Sequence, residues 1–90
     1  MPRVRVEFFG MPRQRAGRAA LDVEVEVLTL GNVLADVASQ LPEFAQHCLD
    51  GSRLASGLLA NINGRLFTTD PQTALADQDC VLILAADVGG

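Results

Sequence analysis

Residues 80–86, Cys-Val-Leu-Ile-Leu-Ala-Ala, form an almost wholly apolar run of strand length. A strand that is apolar at every position belongs inside a sheet, with neighbours on both edges and cover over much of both faces. At the other end of the chain, Val4, Val6 and Phe8 alternate with Arg3, Arg5 and Glu7, the period of a half-buried strand. After a loop from Gly10 to Ala20, Leu21, Val23, Val25 and Val27 alternate with Asp22, Glu24 and Glu26 in the same way. The two strands suit a hairpin whose polar side sets Arg3 and Arg5 against Glu24 and Glu26, each pair contributing roughly 0.2 to 1 kcal/mol.

Between these ends the period changes. Leu30, Val33, Leu34, Val37, Ala38 and Leu41 follow the spacing of a helix with one buried face. Asn32 is the expected N-cap, with Thr29 as the alternative, because either side chain can accept from a free amide of the first turn. Pro42 ends that helix or opens a short second one, in which Phe44, Ala45 and Cys48 continue the apolar face. Residues 50–57, DGSRLASG, read as a surface connection, and the apolar stretch LLANI then runs into Asn63-Gly64, a strong hairpin signal. Leu66 and Phe67 begin the return strand, residues 68–71 break it, residues 73–76 suit one helical turn, and Asp77-Gln78-Asp79 makes a turn. The order is hairpin, helix, hairpin, final strand. A helix crossing one face of a mixed sheet, with the last strand placed centrally beside the first, satisfies the crossover rule and covers the apolar faces. The expected fold is therefore α+β: a ubiquitin-like β-grasp with a mixed sheet of four to five strands packed against one main helix.

Length and composition agree with one domain spanning residues 1–90, with a flexible tail over residues 87–90. The chain has 90 residues, 49% of them hydrophobic and 20% charged, enough apolar sequence to close a core without disulfides or metal. Its net charge of -4 argues against gripping nucleic acid through phosphates. No apolar run approaches the roughly 18 to 20 residues that span a bilayer, and MPRVRVEFFG carries arginines where a signal peptide would be apolar. A cytoplasmic protein with neither nucleic acid nor membrane as partner is expected. All seven basic residues are arginine, so no side chain of this protein can accept an isopeptide bond.

Few residues invite conventional catalysis. His47 and Cys48 are neighbours on the short second helix, where adjacent positions point about 100 degrees apart, so a packing or surface role is expected over a nucleophile pair. Cys80 is better read as a small core or sheet-face residue than as a reactive thiol. Two cysteines cannot supply a four-cysteine iron-sulfur centre. Arg13, Arg15 and Arg18 crowd the first loop, either as a solvated segment or as a site for an acidic partner or a phosphate, and the solvated reading is favoured. Asp77 and Asp79 suit turn chemistry better than a metal, which needs more oxygen donors. The ending Asp87-Val88-Gly89-Gly90 has no structural reason. Glycines there can thread a narrow tunnel and deliver one group, the terminal carboxylate.

The stretches VRVEFFG, NVLADVASQLPEF, ANING and LADQDCVLILAADVGG together resemble the bacterial sulfur carriers of the ThiS/MoaD type. That group comprises the molybdopterin synthase small subunit, the thiamine sulfur carrier and their cysteine-biosynthesis relative. Members commonly end in prolines, a valine and a small residue before two glycines, where this chain has Ala85, Ala86, Asp87 and Val88. The resemblance implies a sulfur-donating co-substrate or small subunit rather than an enzyme, with no cofactor of its own. A ubiquitin-activating-like adenylyltransferase would spend ATP, with magnesium, on the Gly90 carboxylate, and sulfur would replace AMP to give a Gly90 thiocarboxylate. Gly89 would allow close approach, and Ala86, Asp87 and Val88 would be tail contacts. The family pattern assigns Val81 and Ile83 to the core, leaving Leu82 and Leu84 as partner contacts or as residues covered by the chain itself. Phe67 and Ile62 are similar cases. The additional residues between the helix and ANING look similar to molybdopterin-type and cysteine-type members alike, and the molybdopterin synthase small subunit is placed first, with its large subunit or another sulfur-accepting enzyme as partner. A cysteine or thiamine carrier, a ubiquitin-like modifier joined to lysines of other proteins, and a plain interaction domain are the rival expectations.

Overall fold

The structure, a computed structural model, describes residues Met1–Asp87. Alternation builds the first hairpin. β1 (Arg3–Phe8) pairs antiparallel with β2 (Ala20–Glu24) and turns Val4, Val6, Phe8, Leu21 and Val23 into the core. Its register, which alternation alone leaves open, sets Arg3 opposite Glu24, one of the two expected carboxylates, and Arg5 opposite Asp22, while Glu26 lies beyond β2. Arg5 Nη1 lies 3.8 Å from Asp22, and Arg5 Nε lies 3.2 Å from Glu7 on its own strand. β2 stops at Glu24, so Val27, expected in the strand, is 62% exposed.

The segment between the two strands is not a plain loop. Residues Met11–Ala16 form helix α1, opened by Pro12 and closed by Gly17 in the left-handed conformation, whose N–H donates to the Arg13 carbonyl at 3.0 Å. Proline is pre-set for a first turn and glycine for a left-handed cap. Pro12 is buried.

Helix α2 (Leu30–Gln40) buries Leu30, Val33, Leu34 and Val37 against the sheet. Thr29 is its N-cap and accepts from the Asn32 N–H at 3.2 Å, while the Asn32 side chain donates to the Val27 carbonyl at 2.9 Å. The chain breaks at Leu41, and Pro42 opens α3 (Pro42–Cys48) as expected. Phe44 and Cys48 are fully buried, and the Phe44 ring meets Phe8 edge-on with centroids 5.0 Å apart. The connection after α3 holds a small antiparallel ribbon, β3 (Leu49–Asp50) with β4 (Arg53–Leu54), and Leu54 joins the core.

β5 (Leu58–Ile62) and β6 (Leu66–Thr68) form the second hairpin around Asn63, Gly64 and Arg65, with positive φ values of 55° and 72° at Asn63 and Gly64 and the Arg65 N–H donating to the Ile62 carbonyl at 3.0 Å. Residues 73–76 do not make a helical turn. Ala74 instead bridges to Thr29, and Leu75 enters the core from an extended backbone. β7 (Cys80–Ala85) is central, as its unbroken apolar run requires, parallel to β1 on one side and antiparallel to β5 on the other. The main sheet runs β2-β1-β7-β5-β6, a mixed five-stranded β-grasp. No helix among the described residues is long and apolar enough to cross a membrane.

Candidate functional site

Because successive side chains of a strand point to opposite faces, the buried set fixes the open one. Val81 and Ile83 are fully buried beside Val6, Phe8, Ala60 and Ile62. Leu82 and Leu84 therefore lie on the face away from α2, where both are half-buried. Strand register extends this face sideways. Phe67, Asn61, Leu82 and Glu7 form one row across four strands, and Leu59 stands opposite Leu84 in the next. Phe67 at the edge is 62% exposed. Ile62 departs from its expected place, since it is 7% exposed on the core face, one residue out of phase with the open one. Leu59, Asn61 and Phe9 join this region without being marked in the sequence. Leu59 and Asn61 were hidden inside an apolar stretch whose facing becomes legible only once the register with β7 is known.

The chain passes out of β7 after Ala85, and the described residues end at Asp87. Ala86 N–H donates to the Gly57 carbonyl at 2.8 Å, and Phe9 N–H donates to the Ile83 carbonyl at 3.0 Å, so both flanks of the final strand are held to its end. Phe9, 51% exposed, marks the β1 side of that exit. Ala86 and Asp87 are exposed. Val88, Gly89 and Gly90 lie outside the described residues.

The remaining polar candidates have local duties. Asp79 accepts from Asn63 Nδ2 and from the Ala76 N–H, both at 2.8 Å, and Asp77 accepts from the Arg3 N–H at 2.8 Å. Cys80 sits at the far end of the open face. Burial and then the neighbouring Glu7 carboxylate push its thiol pKa up, while Arg5 opposes them more weakly. Cys48 is also raised, by burial, with Arg15 opposing. Neither is poised as a thiolate nucleophile. His47 is exposed, pointing away from the core that takes its neighbour Cys48. Arg13, Arg15 and Arg18 are exposed on and after α1, and only Arg18 makes a side-chain hydrogen bond among the described residues, to the Ala20 carbonyl at 2.9 Å.

No protein-family model and no curated protein matches the sequence. Solved structures do. Small archaeal modifier protein 1 from Haloferax volcanii superimposes with a TM-score of 0.79 at 20% identity, over 98% of this chain and 99% of that one. A Pyrococcus furiosus protein assigned as molybdopterin converting factor subunit 1 gives 0.75 at 19% identity, over 94% and 98%. CysO from Mycobacterium tuberculosis gives 0.69 at 26% identity, over 92% and 98%. The β-grasp read from the sequence is thus the fold of these proteins, end to end. The resemblance read from the sequence points to the same group.

Proposed function

We propose that the chain is a sulfur carrier whose Gly90 carboxylate is adenylated and then converted to a thiocarboxylate. The observation that carries this reading is the placement of the exit from β7. The strand that precedes Asp87-Val88-Gly89-Gly90 in the sequence is central, and its open side carries Leu82 and Leu84 within a half-apolar face. A partner that covers this face lies beside the end of β7, from which only the last few residues separate the Gly90 carboxylate.

In the first step the Gly90 carboxylate attacks the α-phosphorus of ATP, and pyrophosphate leaves. The resulting acyl-adenylate is a mixed anhydride with a good leaving group. Sulfide then adds to the Gly90 carbonyl carbon, AMP departs, and the product is a thiocarboxylate, a sulfur nucleophile that the original carboxylate was not. ATP and magnesium belong to the adenylyltransferase, and this chain supplies the carboxylate and the docking surface. Leu82, Leu84 and Phe67 bear on the partner, while Ala86, Asp87 and Val88 occupy its channel and Gly89 permits close approach. The receiving enzyme on this reading is a molybdopterin synthase large subunit, in keeping with the likeness to the Pyrococcus subunit. The likeness to CysO supports a second reading, in which the same thiocarboxylate serves cysteine biosynthesis. The likeness to a small archaeal modifier supports a third, conjugation of Gly90 to lysines of other proteins.

Intact mass spectrometry after incubation with a candidate adenylyltransferase, ATP, magnesium and sulfide tests the carrier chemistry. The expected result is a mass gain equal to replacing one oxygen by sulfur, mapped to Gly90. No gain with several such enzymes, together with lysine-linked adducts in extracts, would establish the modifier instead.

A further inference from the structure

The open face of the sheet contains one residue that its surroundings do not explain. Asn61 is 7% exposed, the one buried polar residue among those described, and it lies between Phe67 and Leu82 in direct register. Its carboxamide makes no side-chain hydrogen bond to any described residue, in contrast to Asn32 and Asn63, whose amides are both engaged. Yet among the described residues no side-chain nitrogen or oxygen is both sealed from solvent and unpartnered. The Asn61 amide is therefore crowded by its neighbours while its polar tip still reaches the open side.

In the free protein that tip can be satisfied by water. A partner that covers the face removes the water, and an amide left unpaired there would weaken the complex. An aliphatic residue would serve an apolar interface better, so the cost of Asn61 makes sense only if the covering surface pairs with it. Resting on the carrier reading above, we propose that Asn61 is a specificity-determining contact for the adenylating partner. That partner presents an apolar surface bearing one donor–acceptor pair of peptide type, aimed at the Asn61 carboxamide between the contacts made by Leu82 and Phe67. A surface lacking this pair, however apolar, is rejected because docking would strand the amide. Sites built around a hydrogen bond discriminate more sharply than apolar contact alone.

The test uses full-length protein and the adenylyltransferase that produces the mass gain, reading KM and kcat for the carrier in ATP–pyrophosphate exchange. Asn61→Leu keeps the number and branching of the side-chain heavy atoms and removes both the donor and the acceptor; Asn61→Asp keeps the shape and removes the donor. Both are expected to raise KM about ten- to hundredfold with kcat unchanged. The thermal midpoint of Asn61→Leu is expected to hold or rise, because an unpaired amide leaves an apolar setting. A KM within twofold of wild type for Asn61→Leu overturns the inference. So does an Asn61→Leu that fails to fold, since Asn61 is then a structural residue. Wild-type protein that no adenylyltransferase activates overturns the carrier reading and this inference together, whereas activation with an indifferent Asn61→Leu overturns this inference alone.

Discussion

Leu84 stands directly opposite Leu59 on the open face of the sheet, two residues before the backbone makes its Ala86 bond to Gly57. Cross-strand neighbours on one face are close enough to share contact area, so the pair forms an apolar step beside the end of β7. Replacing Leu84 by Glu puts a charge on that step while leaving the opposite face, with Val81 and Ile83, untouched. Because Leu84 is only half-buried, the fold is expected to lose about 1 kcal/mol, a fall of roughly 4 to 8 °C in Tm. Formation of the thiocarboxylate should fail. A melting curve and the mass assay on one preparation check both halves, and an unfolded variant would place Leu84 in the core.

Ile62 and Phe67 separate the two faces by energy. Ile62 is 7% exposed among core residues, and truncation to Ala there should cost about 2 to 4 kcal/mol in urea unfolding. Phe67 is 62% exposed at the sheet edge, so Phe67→Ala should cost less than about 1 kcal/mol and instead weaken activation by the partner. Equal destabilisation by the two changes would contradict the face assignment.

Strand alternation and the apolar final run were legible because each is a repeated signal. Val4, Val6 and Phe8 say the same thing three times, and the continuous run at 80–86 has only one comfortable place in a sheet. Single-residue choices were not legible. Thr29 and Asn32 are both good caps, and Thr29 takes the role where Leu30 and Gly31 N–H groups find the Thr73 and Pro71 carbonyls, both at 2.9 Å, a tertiary fact. Helix α1, with six residues, is too short to display a helical period. The open face was half legible: Leu82 and Leu84 follow from alternation along β7, but Leu59 and Asn61 require the pairing with β5. Ile62 was misplaced for the same reason.

Asn63 ties the second hairpin to the start of the final strand. Its φ is 55°, its Oδ1 accepts from the Cys80 N–H at 2.8 Å, and its Nδ2 donates to Asp79 at 2.8 Å. Asn63→Gly keeps the backbone freedom and loses the two bonds, for an expected cost of about 1 to 2 kcal/mol. Asn63→Ala adds the strain of a positive φ and should cost about 1 kcal/mol more. Denaturant midpoints of the two variants give the ordering, and an Ala variant as stable as Gly would show that the turn relaxes.

The two thiols should be slow and their ionisation should weaken the fold. Both Cys48 and Cys80 have pKa values raised by burial, so the folded state holds their protons more tightly than the unfolded chain does. Their contribution to stability is complete below the unfolded thiol pKa and is lost as pH rises through the folded values. Stability should therefore decline in the alkaline range above about pH 8.5, and Cys80→Ser should reduce that decline. Iodoacetamide near neutral pH should modify Cys80 slowly, and Cys48, fully buried, only on unfolding. Rapid labelling of Cys80 in the folded protein would reopen it as a reactive thiol. Cys80→Ser should leave the mass gain at Gly90 intact.

Removing Gly89 and Gly90 tests whether the ending is chemistry or ornament. The core residues all precede position 84, and the last described bond of the strand exit is the Ala86 N–H to Gly57. A chain ending at Val88 is therefore expected to melt within about 1 °C of wild type, since surface changes away from packed contacts usually lie within about 0.5 kcal/mol. It would present a valine carboxylate, displaced by two residues from the adenylation centre and carrying a branched side chain where glycine allowed close approach. Misplacement on this scale removes the reacting geometry, and the mass gain should disappear. Binding to the adenylyltransferase should persist, because Leu82, Leu84, Phe67 and Asn61 remain. Titration calorimetry beside the mass assay checks the separation. A truncated chain that retains its cellular role would instead make this β-grasp an interaction domain.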